Sequence, residues 1–479
     1  MGLEQRHFCV ILETISQKMY LNIRIETRNR MSDLELQNED KREFRRKRRM
    51  RNQILAYVSV LIVLALMGVG VFFTIKAGSS LLAQKQQENE ALVLASEEVS
   101  ETADVSEEEI SETETTVEET STVVEEYTEE DLLEEVVESC VSEMSLEDRV
   151  AGLFIISPEQ LTGVDRAVKA GDGTKEALEK FPVGGLVYFK QNIQSKEQIT
   201  EMLANTVSMS KYPIFLAVDE EGDSVARVAD TLKLDKVDSA AEIGAAGDSN
   251  NAYETYKKIG SYLCEYGFNL NFAPVADVLT NPDNDTLAKR SFGEDAEVVS
   301  SMVAASVKGL EETGVTACMK HFPGQGDANG DTHDGLVATD RTVEEIRATE
   351  LQPFAAGIEA GAQMIMVGHI AVPSITEDNT PASLSKKVIT NILREEMGYN
   401  GVVITDALNM SSITEYYDPT QAAIMALKAG ADMILMPEDF ETAYEGVLVA
   451  VQDGTISEAR INDSLKRVYR IKYKSTIDN

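Results

Sequence analysis

The chain has 479 residues, and its 82 Asp and Glu against 44 Lys and Arg give a formal net charge of −38. This length allows two or three average domains, or one large domain with appendages. The region expected to fold contains no basic stripe, which argues against nucleic acid binding. The four cysteines, at positions 9, 140, 264 and 318, lack the spacing of a zinc site or a disulfide framework.

The N-terminal part of the chain predicts a membrane anchor. Residues 54–75 contain no charged side chain and are long enough to cross a ~30 Å hydrocarbon core as a helix. Residues 41–52, just before this run, contain eight Lys and Arg and one Glu. The positive-inside rule therefore predicts a cytoplasmic tail over residues 1–53, a single transmembrane helix in the cell membrane, and an extracellular remainder. A cleaved signal peptide is the alternative.

Two further features of this part concern its boundaries. Residues 1–30 lack the pattern of a globular segment, and we hypothesise that translation starts at Met31. Residues 76–129 are rich in Glu, Ser, Thr and Val, and residues 81–140 hold 21 of the acidic residues against one Lys. Such a composition cannot bury a core and repels itself, so we expect a disordered acidic linker at 76–129 and a folded domain over 130–479.

After residue 150, short apolar runs alternate with amphipathic helical stretches. Eight runs read as strands, at 152–157, 184–189, 213–219, 268–277, 315–321, 362–369, 401–408 and 431–437. This alternation predicts an α/β fold, a (β/α)8 TIM-type barrel. A doubly wound open sheet is the alternative, although no glycine-rich turn follows the first strand.

Titratable side chains stand at the C-terminal ends of five of these predicted strands. They are Asp219 with the two glutamates after it, Asp277, Lys320 with His321, His369, and Asp406. A barrel gathers such strand ends at one face, where its chemistry takes place. The pattern therefore predicts one polar pocket, suited to a ligand that makes many hydrogen bonds, as a sugar does.

The stretch KHFPGQGDANGDTHDG, residues 320–335, contains two of the four histidines. A calcium loop would need Gly at Thr332 and Glu at Ala338. A dinucleotide loop would need a third glycine, and a phosphate loop a Gly-Lys-Ser/Thr sequence, and both are missing. His321 and His333 also lack the HExxH motif or cysteines of a zinc site.

Asp331 and His333 in this stretch fit an acid/base loop. A carboxylate beside an imidazole fixes its tautomer and favours its protonated form. Such a histidine can donate a proton to a leaving group and later take one from water. An ordinary surface loop built from turn residues is the alternative.

The same stretch resembles the K-H-F-P-G-x-G-x-x-x-x-D-[ST]-H signature of family 3 glycoside hydrolases, in the bacterial β-N-acetylglucosaminidase branch. Other parts of residues 140–474 resemble further segments of that family in the same order, namely AVDEEGDSVAR at 217–227, NFAPVADVLTNP at 271–282, RSFGEDAEVV at 290–299, GVVITDALNM at 401–410 and ISEARINDSLKRVYRIK at 456–472. The chain departs from the family pattern at Asp223, where a glycine is usual, at Gln325, where His is common, and over 283–290.

The resemblance implies roles for eight residues. Asp406 would be the nucleophile that forms a covalent glycosyl intermediate, with retention of configuration. His333 would be the general acid/base, and Asp331 would orient it. The sugar would be contacted by Asp219, Arg227, Arg290, Lys320 and His321. Neither a metal nor a cofactor is expected.

The implied function is that of an exo-acting β-N-acetylglucosaminidase (a β-N-acetylhexosaminidase). Its substrates would be terminal N-acetylglucosamine residues of peptidoglycan-derived or related glycans, and we expect a monomer without a nucleic acid partner. A β-glucosidase and an N-acetylglucosamine phosphorylase of the same family are alternative enzymes. A cell-wall glycan-binding protein is the alternative that is not an enzyme.

Overall fold

A computed structural model describes residues 128–477 apart from 329, 332 and 334. The predicted cytoplasmic tail and the predicted membrane span at 54–75 lie outside the described residues, as does nearly all of the predicted linker. Within the described part, no helix combines the length and the apolar character needed to cross a membrane.

Ten strands are present in the described residues, and eight of them form a closed, all-parallel barrel. The strands are β1 (Phe154–Ile156), β2 (Gly185–Tyr188), β3 (Phe215–Val218), β4 (Glu220–Gly222), β5 (Val225–Ala226), β6 (Leu270–Asn271), β7 (Thr316–Phe322), β8 (Met364–Val367), β9 (Val402–Ala407) and β10 (Met433–Leu435). Only β4 and β5 lie outside the barrel, as an antiparallel hairpin. The predicted barrel is confirmed, and each of the eight predicted strands overlaps one barrel strand.

Helices follow most of the strands and cover the outside of the barrel. They are α1 (Glu129–Glu143), α2 (Leu146–Ala151), α3 (Pro158–Thr162), α4 (Asp172–Lys180), α5 (Lys196–Met209), α6 (Arg227–Leu232), α7 (Ala240–Ala246), α8 (Ser249–Tyr266), α9 (Ala296–Glu311), α10 (Val343–Ala348), α11 (Leu351–Glu359), α12 (Pro373–Thr376), α13 (Ser411–Thr414), α14 (Pro419–Ala429), α15 (Phe440–Gln452) and α16 (Glu458–Ile477), with a π-helix at Lys387–Glu396 and 3-10 turns at Lys190–Asn192 and Ala382–Leu384.

Glycines end several helices immediately before the next strand. Gly267 and Gly430 follow α8 and α14 with φ of 100° and 119°, the left-handed region that glycine enters without steric cost. Each bonds back to the last helical turn, and β6 and β10 begin a few residues later. This turn chemistry explains why the strand starts could be placed from the sequence.

The fourth barrel strand is shorter than predicted. The apolar run at 268–277 contains only the two residues of β6 in regular pairing. Pro274 has no N–H to offer to a ladder, and the chain continues beside β7 through one isolated bridge, between Val275 and Lys320. Asp277 nevertheless reaches the C-terminal face of the barrel, as the strand pattern predicted.

Apolar side chains fill the barrel interior, and α16 closes its N-terminal end. Val468 and Ile471 of α16 belong to the same buried cluster as Ile155, Val187 and Phe215 of the first three strands. The Lys472 amine, also on α16, donates to the carbonyl of Gly184, the residue before β2 (2.8 Å). The N-terminal end of the barrel is therefore closed by packed side chains, and polar side chains lie at the opposite, C-terminal face.

Candidate active site

The C-terminal ends of the barrel strands surround an open cavity of about 880 Å³, a volume that includes the solvent at its entrance. The eight residues to which the resemblance assigns roles all line this active-site cavity: Asp219, Arg227, Arg290, Lys320, His321, Asp331, His333 and Asp406. The other two predicted strand-end residues, Asp277 and His369, do not line it. They come from strand ends and loops spread over nearly two hundred positions. Chain folding alone brings them together.

Asp406 lies near the end of β9, at the cavity wall. The backbone N–H of Ala407 donates to its Oδ1 (2.8 Å). Burial raises the pKa of the Asp406 carboxyl, but the nearby His369 and His321, this N–H and Lys320 together outweigh it, so the pKa lies below its ordinary value. At neutral pH Asp406 is therefore an ionised carboxylate that faces the cavity.

His369, at the end of β8, supports the strand end that carries Asp406. Its Nε2 lies 2.9 Å from the carbonyl oxygen of Ala407, and its Nδ1 lies 2.8 Å from the Ser383 hydroxyl. A carbonyl can only accept, so Nε2 carries the proton and Nδ1 accepts from the hydroxyl of Ser383. Burial lowers the pKa of His369, which keeps this imidazole neutral. The sequence showed His369 as a strand end but did not indicate this supporting position.

A chain of four charges forms one wall of the cavity. Lys320 lies 2.8 Å from Asp219 Oδ1 and 2.7 Å from Glu221 Oε1. The Arg290 guanidinium donates two bonds, of 2.7 and 2.8 Å, to the two oxygens of Glu221. Burial raises the pKa of Glu221, but Lys320 and Arg290 lower it further, to well below its usual range. Glu221 therefore holds both cations in place.

Glu221 could not be singled out from the sequence, because the run Asp219-Glu220-Glu221 does not tell which carboxylate faces the cavity. Alternation along β4 turns Glu220 the other way. Its carboxylate accepts from the backbone N–H groups of Val228 and Ala229 and from the Tyr262 hydroxyl (2.7, 2.9 and 2.7 Å). Glu220 is thus structural, and Glu221 belongs to the cavity.

The hairpin turn between β4 and β5 contains the departure from the family pattern at Asp223. This residue has φ of +37°, in the left-handed region that favours glycine and that Asp tolerates better than most residues. The backbone at Asp223 therefore keeps the conformation that glycine favours, although the side chain is that of Asp. The hairpin therefore still places Glu221 and Arg227 at the cavity.

Arg227 begins α6, directly after β5. Its Nε atom is buried and has no hydrogen-bond partner among the described residues. An unpaired buried donor is costly, so a ligand that brings an acceptor to this atom gains that interaction. Arg227 is thus a candidate ligand-binding group.

Asp277 orients His321 from behind the cavity wall. Its fully buried carboxylate lies 2.8 Å from His321 Nδ1 and accepts the backbone N–H of Gln325 (2.7 Å). A carboxylate at this position places a proton on Nδ1 and leaves Nε2 for a ligand. The sequence indicated Asp277 as a strand end without indicating this pairing.

Asp331 and His333 form a pair in the loop after β7. One oxygen of Asp331 accepts from both His333 Nδ1 (2.7 Å) and the His333 backbone N–H (2.9 Å). Burial raises the pKa of Asp331, but these two bonds and the His333 charge leave it below the ordinary value. The His333 side chain is 68% exposed, and its Nε2 is the atom available for proton exchange.

Contacts at both ends hold this loop. The Thr339 hydroxyl donates to Asp327 (2.6 Å), and Arg341 pairs with the buried Glu350 (2.9 Å). A Cβ at Gly326 would lie 1.5 Å from the carbonyl oxygen of Val278, so only glycine fits there.

In the part of the chain that the structure describes, no group of three or more His, Cys, Asp or Glu side chains has the arrangement of a metal site.

Sequence comparisons match this chain to one glycosyl hydrolase family and to proteins called beta-hexosaminidase. The family described as "Glycosyl hydrolase family 3 N terminal domain" matches residues 145–471. Beta-hexosaminidase A of Pseudoalteromonas piscicida is 33% identical over 327 residues, which are 62% of this chain and 54% of that protein. Beta-hexosaminidase of Stenotrophomonas maltophilia (strain R551-3) is 33% identical over 301 residues, which are 61% of this chain and 87% of that protein.

The solved structures that resemble this chain include a glycoside hydrolase of family 3. A glycoside hydrolase family 3 beta-N-acetylglucosaminidase from Paenibacillus sp. str. FPU-7 matches with a TM-score of 0.66 and 34% identity, over 70% of this chain and 64% of that one. LpqI of M tuberculosis matches with a TM-score of 0.62 and 27% identity, over 70% of this chain and 96% of that one. The chain thus spans about half of the Pseudoalteromonas protein and most of the Stenotrophomonas and LpqI proteins.

Proposed function

The chain belongs to glycosyl hydrolase family 3, and from this premise we propose that it is a retaining exo-β-N-acetylglucosaminidase. One observation carries the proposal: an ionised carboxylate, Asp406, and a carboxylate–imidazole pair, Asp331–His333, line the same cavity. These are a nucleophile and a proton donor, the two groups that a retaining glycosidase needs. The similarity to proteins called beta-hexosaminidase supports N-acetylglucosamine as the sugar.

The first half of the reaction forms a bond to Asp406. The carboxylate attacks the anomeric carbon while protonated His333 donates its Nε2 proton to the glycosidic oxygen, and the carbon–oxygen bond to the leaving group breaks. Asp331, which lies 2.7 Å from His333 Nδ1, holds the imidazole so that Nε2 is left for this transfer. The products are a glycosyl–Asp406 ester and a released alcohol.

The second half returns the enzyme to its starting state. Neutral His333 takes a proton from water as the water oxygen attacks the anomeric carbon, and the ester bond to Asp406 breaks. Two inversions give net retention. The sugar would be held by donors and acceptors that line the cavity, namely those of Asp219, Arg227, Arg290, Lys320 and His321. Glu221 fixes Lys320 and Arg290 in place. A wrong hydroxyl pattern leaves such buried groups unpaired, which gives strong discrimination.

The proposed location is the outer face of the cell membrane. The uncharged run at 54–75, with the cationic segment 41–52 before it, supports a single anchor that leaves residues 76–479 outside. There the enzyme would meet glycan fragments of the cell wall. Its proposed natural substrates are terminal N-acetylglucosamine residues of peptidoglycan-derived or related glycans.

Hydrolysis of a chromogenic β-N-acetylglucosaminide by the full chain tests the proposal. Asp406→Asn removes the nucleophile and is expected to lower kcat at least about 10³-fold, while His333→Ala removes the acid and lowers it about 10²-fold or more. Asp340→Ala, an exposed neighbour of the loop, is the control with unchanged rate. NMR of the first product formed should show the β anomer.

Three outcomes would contradict parts of this scheme. If the chain cleaves neither the β-N-acetylglucosaminide nor a β-glucoside, it is not a glycosidase, and preference for the glucoside would make it a β-glucosidase. A sugar phosphate formed when inorganic phosphate is present would identify a phosphorylase. Full activity of Asp406→Asn would refute the assignment of the nucleophile.

A further inference from the structure

The C-terminal face of the barrel carries a second cavity, which we call the Tyr416 cavity. Leu336, Asn379, Tyr416 and Tyr417 are among the residues that line it. None of the four lines the active-site cavity, and the reaction described above uses none of them.

Two separate segments run from the active-site cavity to the Tyr416 cavity. His333 lines the first and Leu336, three residues later, lines the second. Met410 lines the first and Tyr416 lines the second, with the single helical turn of α13 between them. Three residues span at most about 10 Å, so the two cavities are neighbours on the side of His333.

Tyr416 has the chemistry of a sugar-binding platform. Its side chain is 57% exposed, and it is the only aromatic residue among the large apolar side chains that are exposed in the described part of the chain. A pyranose ring has an apolar C–H face that packs on such a ring, and Asn379, which is also exposed, offers an amide to its hydroxyl groups.

The backbone under this ring is fixed. The N–H groups of Tyr416 and Tyr417 both donate to the carbonyl of Ile413 (3.0 and 2.9 Å). The neighbouring Tyr417 packs against the hydrophobic core. On a fixed backbone, a Tyr side chain has only two torsions to order when a ligand binds, which favours binding.

We propose that the Tyr416 cavity binds the leaving-group part of the substrate, a second β-linked sugar that follows the N-acetylglucosamine residue in the active-site cavity. This inference rests on the proposed function. His333 must touch the oxygen that joins the two sugars, so the departing sugar lies on the His333 side, and Leu336 and Tyr416 border that side. The enzyme would therefore prefer oligosaccharides to glycosides with small leaving groups.

The test compares two substrates in the full chain. The ratio of kcat/KM for N,N′,N″-triacetylchitotriose to kcat/KM for methyl β-N-acetylglucosaminide is expected to fall about fivefold in Tyr416→Ala, because the ring contact is lost. Tyr416→Phe keeps the ring and should restore the ratio. Val449→Ala, a similarly exposed apolar residue on α15, is the matched control. An unchanged ratio in Tyr416→Ala would overturn the inference.

A binding measurement separates this inference from the proposed function. In the Asp406→Asn background, calorimetry should give tighter binding of the trisaccharide than of N-acetylglucosamine, and Tyr416→Ala should remove about fivefold of that advantage. If both sugars bind equally, the Tyr416 cavity is not a sugar site, whatever the chain hydrolyses. If the advantage is present but no glycoside is cleaved, the site stands and the hydrolase proposal fails.

Discussion

At the scale of single residues, partners decide what each carboxylate of the cavity can do. Glu221 accepts from Lys320 and from both arms of Arg290, so its oxygens are occupied. Asp406 accepts one backbone N–H and leaves its other oxygen toward the cavity. Both are ionised, but Glu221 is held by two cations, which fits the proposal that Asp406 is the nucleophile. The hydrogen bonds of the two carboxylates therefore support the proposed difference in their roles, which burial and charge alone do not distinguish.

We predict that Glu221→Gln strongly destabilises the fold. The change leaves Lys320 and Arg290 buried with less countercharge, and breaking such a buried pair costs about 3–5 kcal/mol. Glu312→Gln is the matched control, because Glu312 pairs with Lys257 at an exposed site (3.0 Å) and such pairs contribute about 1 kcal/mol or less. Denaturant unfolding at pH 7 measures both, and equal effects would contradict the buried network.

A second prediction concerns Glu311, at the end of α9. Burial raises its pKa from 4.5 to about 7, so the folded chain binds the proton more tightly than the unfolded chain does. The stability that this proton contributes is complete below about pH 4.5 and is lost as the pH rises toward 7. Glu311→Gln removes the titration. The free energy of unfolding of this variant, relative to that of the wild type, should therefore rise by roughly 2 kcal/mol as the pH is raised from 5 to 8.

Urea unfolding of wild type and Glu311→Gln at several pH values between 5 and 8 gives this difference, and other titrating groups cancel in the comparison. The Gln363 amide beside Glu311 can rotate to accept from the new side chain. A difference that stays constant with pH would show that Glu311 titrates at its ordinary value.

At the scale of elements, the sequence predicted most of what positions the site. Apolar runs of six to ten residues, several of them preceded by a glycine that ends a helix, placed all eight barrel strands. The strand ends then predicted Asp219, Lys320, His321 and Asp406. The β4–β5 hairpin was not predicted, because its strands have two and three residues and no alternating pattern of useful length. The pairings of Glu221 and His369 were also not predictable, since they join side chains from different strands and depend on register.

The loop that carries Asp331 and His333 leads to a third prediction. Thr339→Val keeps the shape of a buried side chain but removes the hydroxyl that donates to Asp327 (2.6 Å). We expect the loop to lose its fixed end, and kcat/KM for the chromogenic substrate to fall about tenfold, because small misplacements of a catalytic group are costly. Asp340→Ala next to it serves as the control, and equal rates in the two variants would refute this support.

At the scale of the whole chain, much of the net charge lies in residues 81–140, before the barrel. The barrel domain is less acidic, and its cavity contains matched cations and anions. The overall charge of −38 is therefore a poor guide to the ligand. Under the proposed function, the charges that would select a sugar are those of the active-site cavity.

The proposed anchor gives a fourth prediction. After alkaline carbonate extraction of cells that express the full chain, the protein should stay with the membrane fraction, and a protease added outside the cell should reach it. Leu64→Arg together with Leu66→Arg places two charges at the centre of the run, each costing about 3 kcal/mol, and should release the protein.

Leu92→Arg together with Leu94→Arg, in the linker, is the matched control that should remain membrane-bound. Carbonate release of the wild-type chain would refute the anchor. Protection of the wild-type chain from external protease would refute the proposed orientation.

The closure of the barrel has a consequence for biogenesis. β1 pairs with β10, so Phe154 meets Ile434, and α16 then seals the interior with Val468 and Ile471. Contacts between such distant positions form slowly, because a long loop must close before they contribute. A nascent chain in which only the first strands have been synthesised still lacks β10, which closes the barrel, and α16, which covers its N-terminal end. The domain must therefore complete its folding after synthesis of residue 471, which leaves unpaired strand edges open to chaperones and to aggregation until then.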